Sequence, residues 1–276
     1  RDMGDVIKHS SHGAIGSLII EPVGSTWAFD PELNSKATAD ILDSEGKVMF
    51  REFVLMYQDD LSLQLRHKIW RDPRFPPLQP KPLRNIDDTD DSEDSGMKAF
   101  NYRTEPFWLR LGFDINTPLE EQNDKDFSNV LSSIEDNPGC GGPCGDPATP
   151  IFTATAGTPV RFRVIHPAGH PRQHGFTVFG HHWQFEPWTA NSTAQGVNQF
   201  TFEVGFLSGI GPTRHDNILT NAGGAFGVAG DYLYRTQDSF NFSAGGLWGI
   251  FRVKPYTEAV DRYCLSCRKP ADGLDQ

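Results

Sequence analysis

Between residues 151 and 165, apolar and polar side chains alternate with period two. The run reads Ile151-Phe152-Thr153-Ala154-Thr155-Ala156, a Gly157-Thr158 turn, then Pro159-Val160-Arg161-Phe162-Arg163-Val164-Ile165. Successive side chains on a strand point to opposite faces, so the pattern belongs in a sheet with one face buried. Residues 175–183, 199–204, 230–234 and 247–253 supply four more short, turn-separated strands. Strands at this density predict an all-β sandwich. Composition agrees: Gly 27 and Pro 20 make about one residue in six a chain-breaker, and Phe 20, Trp 6 and Tyr 6 add strand-favouring aromatics. A helical bundle is disfavoured on that mix.

Charge and hydropathy exclude two classes of partner. Lys+Arg 25 against Asp+Glu 36 gives a net charge of −11, with no basic stripe to follow a nucleic-acid backbone. No stretch approaches the roughly eighteen apolar residues that cross a bilayer. The densest charge is Asp87-Asp88-Thr89-Asp90-Asp91-Ser92-Glu93-Asp94, which reads as a solvated loop. Carboxylates suit hard cations such as calcium or manganese, but Asp90, Ser92, Asp94 and Gly96 only loosely imitate a calcium loop.

Other stretches are more weakly patterned. Gly16-Ser17-Leu18-Ile19-Ile20-Glu21-Pro22 reads as an apolar strand, and the run from Phe50 to Tyr57 as another, preceded by a Glu45-Gly46 turn. A strand is also expected at 100–107 and a short helix at 118–131. Asp59 and Asp60 are adjacent, so on a strand they face opposite ways, which disfavours a two-acid mechanism. Gly-rich 223–230 has no Lys-Ser/Thr ending, and Ser208-Gly209-Ile210-Gly211 forms no nucleophile elbow. The four cysteines fall in two close pairs, Cys140/Cys144 in a Gly/Pro loop and Cys264/Cys267 in a polar tail. Two local disulfides in an oxidising compartment are the expected arrangement. A four-thiolate zinc site and free thiols are the alternatives. Two sequons, at Asn191 and Asn241, fit an exported protein.

His166, His170, His174, His181 and His182 fall within seventeen residues, and imidazole is a common copper and zinc ligand. The surrounding text is more specific than the count. Ala156-Gly157-Thr158-Pro159-Val160-Arg161-Phe162-Arg163-Val164 is followed by His174-Gly175-Phe176-Thr177-Val178-Phe179-Gly180-His181. Gly230-Asp231-Tyr232-Leu233-Tyr234 and Gly245-Gly246-Leu247-Trp248-Gly249-Ile250-Phe251-Arg252-Val253 come later. Together these segments resemble the cupredoxin domains of multicopper oxidases, with the nearest look to large multidomain bacterial manganese-oxidase and ceruloplasmin-like members. The run from His9 and His12 to Pro22 resembles the closing strand of a preceding domain in such a protein. The resemblance covers about residues 5–60 and 147–256.

It implies a cupredoxin-like Greek-key β-sandwich with long loop insertions. Residues 1–25 would close a preceding domain, and 26–256 would form one enlarged domain with an insertion at about 66–146. Residues 257–276 would be a tail carrying the CxxC. The chain opens Arg1-Asp2-Met3-Gly4, and it is expected to be a fragment or processed subunit of an exported oxidase, extracellular or periplasmic.

The copper chemistry of that family needs ligands that this chain mostly lacks. Anchoring on Gly180-His181 puts His174 at the blue-copper histidine position, while the two trinuclear positions fall on Thr177 and Phe179. The closing motif of a competent domain reads Tyr-His-Cys-His, then a later His and a Met. Here Tyr234 is followed by Arg235, Thr236 and Gln237, with Asn241 at the later His and Leu247 near the Met. If His12 takes the second blue-copper His position of the preceding domain, its thiolate position falls on Ile7 and its axial position on Ser17. No blue copper is expected within the chain.

The metal candidates are therefore His9, His12, His174 and His181. The bland alternative is that His174 and His181 hydrogen-bond backbone groups. The leading expectation is a copper-site-depleted structural domain of a multicopper oxidase. Copper would sit in the parent protein, and the partners would be its other cupredoxin domains or subunits. The alternatives are a non-catalytic assembly module anchored by exposed Trp183, Phe185 and Trp188, and a mononuclear histidine metal site built from His166, His170, His174 and His181.

Overall fold

The structure is a computed structural model that describes residues 14–29, 37–61, 97–113, 127–134, 145–167, 173–185, 198 and 200–256. Thirteen strands are formed among them. They are β1 (Thr26–Phe29), β2 (Thr38–Leu42), β3 (Val48–Leu61), β4 (Met97–Phe100), β5 (Ile151–Thr155), β6 (Pro159–Ile165) and β7 (His174–Val178). Then follow β8 (Trp183–Gln184), β9 (Glu203–Val204), β10 (Phe206–Ile210), β11 (His215–Asn221), β12 (Gly230–Arg235) and β13 (Trp248–Lys254). One sheet runs β1-β2-β3-β6-β11, with β4 also paired to β3. The other runs β10-β7-β12-β13-β5, and β8-β9 form a separate small ladder. The two main sheets make the all-β sandwich that the sequence predicts.

The period-two rows decide what lies between the sheets. Phe53, Leu55 and Tyr57 of β3, Val160, Phe162 and Val164 of β6, and Phe176 and Val178 of β7 all point inward and are buried. Phe53 meets Phe152 and Phe162 with ring centroids 4.9 and 5.0 Å apart, and Phe162 meets Phe251 edge-on at 5.3 Å. These are the tilted and edge geometries that aromatic quadrupoles favour. Strand β13 is buried on both faces. Its Phe251 and Val253 enter this core, while Trp248 and Ile250 join a second cluster with Phe107, Leu111, Val130 and Ile151. That second cluster belongs to the helical turn α1 (Phe107–Arg110) and the turn around residues 127–131, which cover the outer face of the second sheet.

Arg110 holds this cover in place. It is fully buried, its Nε donates to Glu105 at 2.6 Å, and its remaining N–H groups donate to the carbonyls of Val130, Ser132 and Gly145. Its guanidinium also lies 4.8 Å from the Trp248 ring centroid. Four chain segments are thereby joined at one planar cation.

Three expectations differ from what forms. Residues 16–22 make no strand: Leu18 and Ile20 are exposed, and no neighbouring strand pairs with that backbone among the described residues. The expected strand at 100–107 ends at Phe100, because Asn101 and Tyr102 take positive φ and turn the chain into α1. Of the expected helix at 118–131, residues 127–131 form a turn, and 118–126 lie outside the described residues. The turn at 45–46 forms as expected: Asp43 accepts the N–H groups of Glu45 and Lys47, and Gly46 supplies φ +78°.

The outer face of the first sheet carries Glu21, Glu52, Arg161 and Arg163. Arg163 Nε donates to Glu52 at 2.8 Å, and the Arg161 guanidinium stacks 3.7 Å from the Phe50 ring centroid. Burial together with the neighbouring Glu21 pushes the Glu52 carboxyl from its ordinary 4.5 up to about 7, against the opposing pull of Arg163. The folded chain thus holds a proton that the unfolded chain releases earlier. Glu52 should therefore make stability fall as pH rises from about 4.5 to about 7. Urea unfolding at several pH values should show this decline in wild type and a smaller one in Glu52→Gln; equal slopes would refute the assignment.

Candidate metal centre

Three inward rows end in polar residues at the same end of the sandwich. The β3 row Phe53, Leu55, Tyr57 continues to Asp59; the β6 row Val160, Phe162, Val164 continues to His166; and β7 begins its row at His174. Strands β3 and β6 run parallel, with Met56 opposite Ile165, so Asp59 and His166 emerge side by side. Strand β7 brings His174 across from the opposite sheet. All three side chains are fully buried, and their ligand-type atoms lie within 4.8 Å of one another.

The contacts inside the cluster are short. His174 Nε2 lies 2.9 Å from both Asp59 oxygens, and His166 Nε2 lies 3.1 Å from Asp59 Oδ2. Lys98 Nζ stands 3.8 Å from Asp59 Oδ1. Burial alone would raise the Asp59 pKa, but His174, His166 and Lys98 together hold the carboxyl far below the usual carboxylate range. Asp59 is thus a buried carboxylate surrounded by nitrogen.

The histidines are held on their other sides. His166 Nδ1–H donates to the Ile210 carbonyl at 3.0 Å, its backbone N–H donates to Arg214 O, and its carbonyl accepts from Thr213. Thr213 is β-branched and yet takes φ +77°, a costly conformation that this contact helps maintain. The Tyr57 ring stacks on His174 at 4.8 Å, and its hydroxyl donates to Gly175 O at 2.6 Å. His174 Nδ1 is buried without a hydrogen-bond partner, as is Thr236 Oγ1.

The other expected residues separate from this cluster. His181 Nδ1–H donates to Phe179 O at 2.9 Å, and its Nε2 accepts the Gly223 N–H at 3.1 Å. Both ring nitrogens serve the backbone, and burial lowers its pKa against the pull of the Phe179 carbonyl, so it stands as a neutral structural histidine. His174 bonds a carboxylate, where a backbone partner was the bland expectation. His9, His12, His170 and all four cysteines, Cys140, Cys144, Cys264 and Cys267, lie outside the described residues, as does Trp188. Trp183 is buried, which removes it from the expected set of exposed anchors; Phe185 is 40% exposed and stacks on Phe202 at 5.3 Å.

Asp59 is the residue that sequence reasoning missed. The alternation from Phe53 through Tyr57 carries straight to it, so the inward row was the available signal.

A blue-copper ion does not fit the described residues. Thr236 and Leu247 are fully buried and Asn241 nearly so at the closing ligand positions of the resembled motif, and none offers a thiolate or imidazole. Thr177 donates its hydroxyl to Gly205 O at 2.7 Å, and Phe179 is half-exposed. No helix among the described residues is long and apolar enough to cross a membrane.

No family model matches the sequence, and no curated protein matches it. Among solved structures, the chain is similar to a multicopper oxidase at 14% identity and TM-score 0.37, over 77% of this chain and 47% of that one. It is similar to a mutant of the laccase from B. aclada at 18% identity and TM-score 0.36, over 74% of this chain and 29% of the laccase. It is also similar to reduced auracyanin from the photosynthetic bacterium Roseiflexus castenholzii at 14% identity and TM-score 0.25, over 38% and 83% of the two chains. The chain spans about half the length of that multicopper oxidase and under a third of the laccase. At these identities the likeness is one of fold alone.

Proposed function

We propose that this chain is a copper-depleted cupredoxin-type module of a larger exported multicopper oxidase. It would hold copper-bearing neighbours at a fixed separation and carry no electron itself. The parent would couple one-electron oxidation of a substrate, with Mn(II) or another metal ion as a candidate, to reduction of dioxygen. The observation that carries the reading is the substitution of the closing ligand set. Thr236, Asn241 and Leu247 occupy the thiolate, imidazole and thioether positions of the resembled motif, buried within an intact sandwich. A blue site needs two imidazoles and a thiolate, so the framework is kept and the redox chemistry is absent.

A second observation bears on the role as a partner-binding body. Phe185, Phe200, Phe202 and Phe206 are exposed around one edge, and Phe185 and Phe202 stack face to face. Exposed apolar patches of this kind mark interfaces. They serve equally the alternative of an extracellular assembly module with no oxidase attached.

The experiment is the intact mass of the native polypeptide, joined to absorption spectra of the isolated chain with added copper. A native mass well above 30.8 kDa, with an isolated chain that develops no intense red-region band, is the expected result. A blue isolated chain would overturn the ligand reading. A native polypeptide limited to this chain would overturn the oxidase reading in favour of the assembly module.

A further inference from the structure

We infer that Asp59, His166 and His174 form a binding site for one zinc-type divalent ion, separate from any blue-copper chemistry. The argument begins with the tautomer of His166. Its Nδ1–H is spent on the Ile210 carbonyl, so in the neutral ring the Nε2 lone pair faces Asp59 Oδ2 at 3.1 Å. Two electron-rich atoms cannot sit there, fully buried, without a positive charge between or on them. The well-formed hydrogen bonds of Asp59 go to His174 Nε2, and His166 Nε2 stands beside Oδ2 at 3.1 Å without one of comparable geometry.

A histidine whose Nδ1–H is anchored on a backbone carbonyl while Nε2 faces a carboxylate and a second imidazole has the usual posture of a metal ligand. The donor set of one carboxylate oxygen and two imidazole nitrogens suits zinc. At zinc–ligand bond lengths of about 2.0–2.2 Å, tetrahedral donor atoms stand roughly 3.3 Å apart. The two separations to Asp59 Oδ2, 2.9 and 3.1 Å, need open by only a few tenths of an ångström, and all three ligand atoms already lie within 4.8 Å of one another.

Asp59 Oδ2 would take the ion with the two Nε2 atoms, leaving Oδ1 toward Lys98. His166 lines a cleft of about 390 Å³ together with Arg163, Thr213, His215 and residues 16–20. The ion would tie β3 and β6 of one sheet to β7 of the other, so its binding would act on stability. The competing occupant of the gap is a proton, held as an imidazolium at His166.

The test uses the full chain with Cys140, Cys144, Cys264 and Cys267 changed to Ser, so that thiolates contribute no sites. After chelator treatment it is titrated with Zn(II), and separately with Co(II) as a spectroscopic probe. One equivalent of Zn(II), a raised Tm, and Co(II) visible bands of tetrahedral N/O type are expected. His166→Gln and Asp59→Asn should each weaken binding by about 100-fold or more, while His181→Gln should leave it unchanged. Histidine ¹⁵N shifts in the unmutated cluster give a readout that needs no variant: two Nε2 resonances should move on Zn(II) addition. Failure of the folded chain to take up Zn(II), uptake undiminished in a folded His166→Gln, or ¹⁵N shifts of a His166 imidazolium that Zn(II) does not perturb would each overturn the assignment. None of these outcomes depends on whether the chain belongs to an oxidase.

Discussion

Replacing Arg110 by methionine is expected to lower the free energy of unfolding by about 3–5 kcal/mol, the usual cost of removing one partner from a buried ion pair. The volume of the side chain is roughly kept, so the loss is electrostatic and not a cavity effect. Glu105 would keep the Ala148 N–H but lose its buried cation, and the carbonyls of Val130, Ser132 and Gly145 would lose their donors together. Trp248 sits beneath the guanidinium and donates its indole N–H to Glu105 O, so its environment should change with the same substitution. Arg110→Lys keeps the charge but not the planar fork, and should fall between wild type and methionine. Urea unfolding followed by tryptophan emission measures the series, and hydrogen exchange should show protection lost first at residues 127–134 and 145–150. A methionine variant within about 1 kcal/mol of wild type would show that neither the cation nor its contacts with these carbonyls hold the cover.

The second large effect is steric. Gly249 lies opposite Tyr234 in the β12–β13 ladder, and a Cβ built there would stand 2.2 Å from the Tyr234 hydroxyl oxygen and 2.3 Å from its ring carbon. The ring has nowhere to go. It is fully buried, its hydroxyl donates to Pro150 O at 2.5 Å, and Phe100, Phe152 and Phe176 surround it. Gly249→Ala should therefore cost about 2–4 kcal/mol, combining overpacking with a weakened hydroxyl contact. A strand-interior glycine crossed by a neighbour's aromatic ring is a close-approach position, not a flexible one. Pairing the alanine with Tyr234→Leu should give a double variant less destabilised than the sum of the singles, by at least about 0.5 kcal/mol. Additive losses would place the strain elsewhere.

The residues differ in how openly the sequence announced them. The rows through β5 and β6 were plain, because alternation over five to seven residues is a local signal, and β13 was legible as a short apolar run after a glycine turn. So was the row from Phe50 to Tyr57, which the structure extends to Leu61. Strands β1, β10 and β11 were not expected. In β10 the inward Leu207 and Ile210 are separated by a register shift, which breaks the period that would reveal it.

The candidate centre shows the same limit more sharply. His174 was singled out on its motif, yet its partners come from two other strands, and nothing along the chain states that β7 faces the ends of β3 and β6. Asp59 was weighed only as a pair with Asp60, and the pair was set aside because adjacent strand residues face opposite ways. Which of the two faces the core is not stated by the pair itself. His166 was one of five clustered histidines, and its posture rests on Ile210, forty-four residues later.

The parallel pairing of β13 with β5 has a consequence for how the chain is made. Among the described residues of the second sheet β5 pairs with β13 alone, with Ile151 set against Ile250 and Thr155 against Lys254. A nascent chain emerging from a ribosome therefore carries Ile151, Phe152 and Ala154 as an apolar edge whose partner among the described residues, β13, follows only after about a hundred further residues have been translated. Closure of the sandwich waits on β13, and translation must pass through a long interval in which chaperone capture and edge-to-edge association compete for the same exposed backbone.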